Sequence, residues 1–154
     1  MRALAEFGLI GAYAEGRGTA LEGMMSELLT VVRSEERDDV APDGSDVRIL
    51  ARVDAGGTAE FSLAPDCISR AVRHRTIEEV WFVIEGRGSI WRKRGDLEEV
   101  TDLAPGTSVT IPVGTSFQFR STPGVALRIL GATMPPWPGD GESIPVTGPW
   151  TPTV

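Results

Sequence analysis

His74-Arg-Thr-Ile-Glu-Glu-Val-Trp-Phe-Val-Ile-Glu-Gly-Arg-Gly88 has at its centre a five-residue apolar block, Val80 to Ile84, closed by Gly86 and Gly88. A block this short, bounded by turn residues and rich in β-branched and aromatic side chains, reads as a strand covered on both faces rather than as a helix. Parity along it puts Glu79, Trp81 and Val83 on one side and Val80, Phe82 and Ile84 on the other. The run also holds His74, the only histidine in the chain.

Working outward, the same grammar repeats. In Val47 to Val53, residues Val47, Ile49, Ala51 and Val53 share one face while Arg48 and Arg52 share the other, the period of a half-buried strand. Gly56-Gly57 supplies the next turn. Ala59, Phe61 and Leu63 then alternate with Glu60 and Ser62, Pro65-Asp66 breaks the run, and Ile68, Arg70, Val72 and His74 fall on one face of the strand that follows. Downstream, Ser89 to Lys93 and Glu99 to Leu103 form a hairpin about Gly95-Asp96, and further segments at 107–111, 116–120 and 126–132 are separated by Pro-Gly turns. Closely spaced strands without a long helix make the fold all-β, a sandwich or barrel.

The ends differ in character. Residues 1 to about 23 show no sustained period and read as a loose extension, and Met24-Met25 offers an alternative start that would make them non-native. Residues 1–40 are expected to be a partly disordered extension and 41–154 the barrel with its tail. That tail, from Met134, holds six of the eleven prolines and two of the four tryptophans; it is expected to be irregular and to pack back on the barrel, as wall covering or as a lid.

At 154 residues the chain suits a single domain, and a net charge of -7 opposes phosphate backbones, so nucleic acid is not an expected partner. The short run Arg92-Lys93-Arg94 fits a solvated hairpin turn. One cysteine, Cys67, excludes an internal disulfide and is read as structural. No apolar run is long enough to span a bilayer and the start lacks a secretory layout, so the cytoplasm is the expected compartment and a membrane is not an expected partner.

The sequence also resembles the cupin family of double-stranded β-helix, or jelly-roll, barrels, over roughly residues 46–133. His74-x4-Glu79-x6-Gly86 matches the second half of that family's first motif in spacing, and Gly106-x5-Pro112-x-Gly114 matches the start of its second. The turn residues are present, but the other histidine positions are occupied by Val72 and Phe117, and the asparagine position by Ser121. A cupin metal site would therefore be left with His74 and Glu79, two donors where a first-row ion wants three or four. No tightly bound metal is expected; Asp66, placed by parity on the His74 face, is a conceivable replacement donor.

Three functions follow. In the first, the barrel binds a small organic molecule against Trp81, Phe117 and Phe119, with Arg70, His74 and Glu79 as its polar end, either as a binding domain or with His74 and Glu79 as a catalytic acid/base pair. In the second, implied by the resemblance, the chain is a dioxygenase- or isomerase-type enzyme using a divalent transition metal on His74 and Glu79. In the third, the barrel is structural, its interior filled. Whether the chain is an enzyme stays open. Val80, Phe82 and Ile84 would need cover, and cupin resemblance likewise implies a homodimer.

Overall fold

The computed structural model describes residues 28–154; the expectations for residues 1–23 and for an alternative start lie outside them. No helix occurs among the described residues. Eleven strands follow in chain order: β1 (Asp39–Val40), β2 (Asp46–Val53), β3 (Gly56–Leu63), β4 (Val72–His74), β5 (Glu78–Glu85), β6 (Gly88–Arg94), β7 (Leu97–Leu103), β8 (Ser108–Ile111), β9 (Ser116–Ser121), β10 (Leu127–Met134) and β11 (Ser143–Pro145).

They form two antiparallel sheets, ordered β1-β2-β3-β10-β5-β8 and β11-β4-β9-β6-β7, which is the all-β jelly-roll barrel expected from the sequence. The block at 80–84 is the heart of β5. Trp81 and Val83 point inward and join Ile90, Phe117, Phe119 and Ile129 in the core between the sheets. Burying such side chains stabilises by roughly 1.5–3 kcal/mol each, which is why the inward set is so uniformly apolar.

The turns explain the glycines. Gly86 has φ of 85°, and a Cβ there would stand 1.8 Å from the Ala126 carbonyl oxygen, so β5 can end beside β10 only with glycine at that position. The β6–β7 hairpin turns at Gly95-Asp96 as expected, with Arg94 opposite Leu97.

Four local expectations are corrected. The turn between β2 and β3 sits at Asp54-Ala55, and Gly56-Gly57 instead open β3 opposite Arg52 and Val53. A register shift between Ile49 and Arg52 interrupts β2, so alternation does not hold along its whole length. Residues 68–71 are not a strand: Ile68 makes one isolated bridge to Arg120, and β4 begins only at Val72. Lastly, β5 is not covered on both faces: Val80, Phe82 and Ile84 are 40%, 47% and 40% exposed, and no described residue shields them.

The tail folds back as expected, but it is not irregular throughout, since β11 pairs with β4 and puts Ser143 opposite His74. Gln118 holds the tail, donating from Nε2 to the Trp150 carbonyl and accepting from the Trp150 amide at Oε1 (2.8 and 3.1 Å), while the Arg120 guanidinium lies 4.2 Å above the Trp150 ring. Ahead of the barrel, residue 33 is tied to β3, where the buried Glu60 carboxylate accepts from Arg33 Nε and Nη2 and from Arg128 Nη2.

Candidate functional site

β4 and β5 run through opposite sheets, and their inward residues bring His74 and Glu79 together. His74 is 6% and Glu79 3% exposed, and His74 Nδ1 stands 3.2 Å from Glu79 Oε1, within ion-pair reach yet out of line for a hydrogen bond. The other oxygen, Glu79 Oε2, accepts from Trp81 Nε1. Trp81 follows Glu79 by two residues on the same strand face, so one element supplies both the carboxylate and its indole donor.

Beside this pair lies a cavity of about 90 Å³, several times what one water molecule occupies on the same measure. Its aromatic wall is Phe61 from β3, Trp81 from β5, Phe117 from β9 and Trp137 from the tail. The His74 ring meets Phe117 and Trp137 edge to face, each at 5.2 Å between centroids, and Trp81 meets Phe117 likewise at 5.5 Å. Of the two tail tryptophans, Trp137 lines the cavity and Trp150 covers the outside of the barrel.

Two charged wall residues escape a reading of the sequence. Asp43, in the loop between β1 and β2, is buried and accepts from the Ser45 amide and hydroxyl through Oδ1 (2.8 and 2.6 Å). Burial pushes its carboxyl up, with the Glu79 charge adding to this, against the Ser45 hydrogen bonds and His74. A loop carries no periodicity, so no pattern marks Asp43. Arg52 is the other: the irregularity in β2 brings Leu50 and Arg52 to the wall along with Val47 and Ile49.

Three expected site residues sit elsewhere. Arg70 is exposed and its guanidinium reaches only toward the Pro42 carbonyl, at 3.5 Å, because the irregular segment ahead of β4 breaks the parity that would have turned it inward. Phe119 is fully buried, packed against Trp81 at 5.0 Å in the core and not on the cavity wall. Asp66 is exposed with φ of 61° and accepts from the Gly124 amide, so it serves a turn and is not on the cavity wall. Trp81 and Phe117 do line the cavity, with His74 and Glu79.

The donor set does not fit the metal implied by the cupin resemblance. Val72 and Phe117 are direct partners across β4 and β9, so two apolar side chains face each other where the resemblance would place imidazoles. Among the described residues no group of three or more His, Cys, Asp or Glu is arranged to hold an ion.

The chain matches no protein-family model and no curated protein. Solved structures share its fold. The Bacillus halodurans protein BH2720 is 22% identical, with a TM-score of 0.53 over 58% of this chain and 70% of that one. The capsular polysaccharide assembling protein CapF of Staphylococcus aureus is 16% identical, TM-score 0.59, over 71% of this chain and 34% of that one, so this chain spans about a third of CapF. A variant of Streptomyces PAC13, determined with uridine, is 13% identical, TM-score 0.60, over 79% and 92%. The likeness is one of fold, and that fold is cupin-like.

Proposed function

We propose that this chain is a cytoplasmic cupin that binds a small organic molecule in its barrel, with His74 and Glu79 as the polar end of the site and no tightly bound metal. The observation that carries this reading is the cavity beside the His74–Glu79 pair, walled by Phe61, Trp81, Phe117 and Trp137. Apolar walls with a few convergent polar groups are the usual make-up of a small-molecule site, whereas a purely structural barrel calls for a filled interior. That a neighbour in fold was determined with uridine supports such an occupant for this architecture.

Xenon and a fragment library titrated into labelled protein test the reading. Indole resonances of Trp81 and Trp137 are expected to shift while that of Trp150 stays put, and Ala59→Leu, which adds bulk to the wall, is expected to abolish the response. Silence at both indoles throughout would refute the site. Metal analysis after gentle purification is expected to give Fe, Mn, Ni, Zn and Cu well below one per chain; a stoichiometric ion would overturn the metal-free part.

The 3.2 Å approach of His74 Nδ1 to Glu79 Oε1 favours a second reading, in which the pair moves a proton on the bound molecule. The carboxylate would orient the imidazole, and the imidazole would exchange the proton with the ligand. Deuterium incorporation from D2O into a bound fragment, lost in His74→Gln, is its signature; no incorporation above the rate in free solution leaves the site a binding site only.

A further inference from the structure

Two carboxyl side chains line the cavity of a chain that is already acidic. Asp43 and Glu79 both stand on the wall, against one imidazole, His74, and one guanidinium, Arg52. His74 Nδ1 is shut off from solvent and makes no hydrogen bond, so Glu79 Oε1 faces a nitrogen that is near but misaligned. Around these groups stand the rings of Trp81, Phe117 and Trp137, whose negative π faces attract cations and repel anions.

We propose that the molecule this cavity takes carries a positive charge: a small organic cation, an ammonium or quaternary ammonium, seated between Asp43 and Glu79 against Trp81, Phe117 and Trp137. The inference rests on the binding reading above and adds its ligand class. The Glu79 charge disfavours ionisation of buried Asp43, so the two carboxyls lie within electrostatic reach of one another, and a cation held beside both would favour their charged forms. The net charge of -7 acts in the same direction over longer range, raising the local concentration of cations and depleting anions. Alkyl ammonium groups are weakly hydrated and suit a wall that is mostly apolar, which an inorganic ion does not.

Three probes with one carbon skeleton and different charge decide the matter: choline, its neutral isostere 3,3-dimethyl-1-butanol, and the anion 3,3-dimethylbutanoate. Each is titrated calorimetrically into the intact protein with the Trp81 and Trp137 indole signals followed in parallel. Choline is expected to bind about tenfold more tightly than the alcohol, and the anion more weakly than either. Glu79→Gln and Asp43→Asn, each checked for an unchanged fold by its amide spectrum, are expected to weaken choline binding severalfold more than alcohol binding and so shrink the choline preference; a preference unchanged in both variants overturns the cation, and either variant alone suffices should the other fail to fold. Alcohol or carboxylate binding as tight as choline overturns the cation while the binding site stands. The cation is overturned in the same way if xenon enters but none of the three probes does. If xenon fails as well, the binding reading falls with it.

Discussion

Gly131 shows how finely single residues shape the cavity. A Cβ there would lie 2.5 Å from Phe61 Cε2 and 3.5 Å from Trp81 Cδ1, so a side chain at 131 must displace the Phe61 ring, which lines the cavity. Gly131→Ala is therefore expected to cost about 1–3 kcal/mol by overpacking and to exclude xenon, both read from thermal unfolding and the indole shifts. Glu142 governs a different property. It is buried, and burial alone would raise its carboxyl, but the amides of Thr76 and Ile77 and the Thr76 hydroxyl donate to it and hold it below the ordinary range. A carboxyl lower in the folded than in the unfolded chain adds stability above the unfolded value and loses it as pH falls through the folded one. Glu142→Gln should thus destabilise most near neutral pH and progressively less on acidification, as a series of melts across pH would reveal; an effect growing toward acid would contradict the sign.

Among the elements, β2 and β4 mark where periodicity stops being a guide. The inward set of β5 is legible in the sequence because one unbroken strand carries Glu79, Trp81 and Val83. Arg52 is not, since an interruption of one strand by an irregularity reverses which residues face in, and nothing in the alternation of Val47 to Val53 announces it. Arg70 is misplaced for the complementary reason: parity counted back from His74 runs through residues that make no ladder. Asp43 and Trp137 come from a loop and a tail, whose positions depend on tertiary contacts rather than on spacing. Residue 60 ties such a segment down. Its carboxylate gathers Arg33 and Arg128 at 2.7 and 3.0 Å, with Arg48 at 3.7 Å, and burial is outweighed by these partners, which hold it below the usual range. Glu60→Ala is expected to cost about 1–3 kcal/mol, the lower end of what a charged hydrogen-bond network contributes, because Arg33 and Arg128 are partly exposed and Arg128 keeps Glu85. Hydrogen exchange should then quicken over residues 33–38; unchanged protection there would show that Glu60 does not hold the segment.

For the molecule as a whole, the outer face of β5 calls for cover, and we propose that a second copy supplies it. Val80, Phe82 and Ile84 form a contiguous apolar strip on a strand, backed by Leu130 and Ala132 of β10 as the register partners of Phe82 and Val80. A two-fold pairing of this strip on itself would bury it in both copies. Light scattering at micromolar concentration is expected to report a dimer, and Phe82→Lys a monomer with its unfolding midpoint made independent of concentration; a monomeric parent would end the idea. The jelly-roll arrangement itself is readable from turn residues and strand spacing, because those are local, whereas which faces meet depends on strands distant in sequence. The position of β10 carries that distance into time. It lies between β3 and β5, matching Leu127 to Leu63 and Thr133 to Gly57, so the larger sheet stays in two halves until a segment more than sixty residues along the chain arrives between them. Closing loops of that size is paid in entropy before any pairing rewards it, which puts this barrel among slow folders, on the order of milliseconds to seconds, with the inner edges of β3 and β5 unpaired and prone to self-association while they wait.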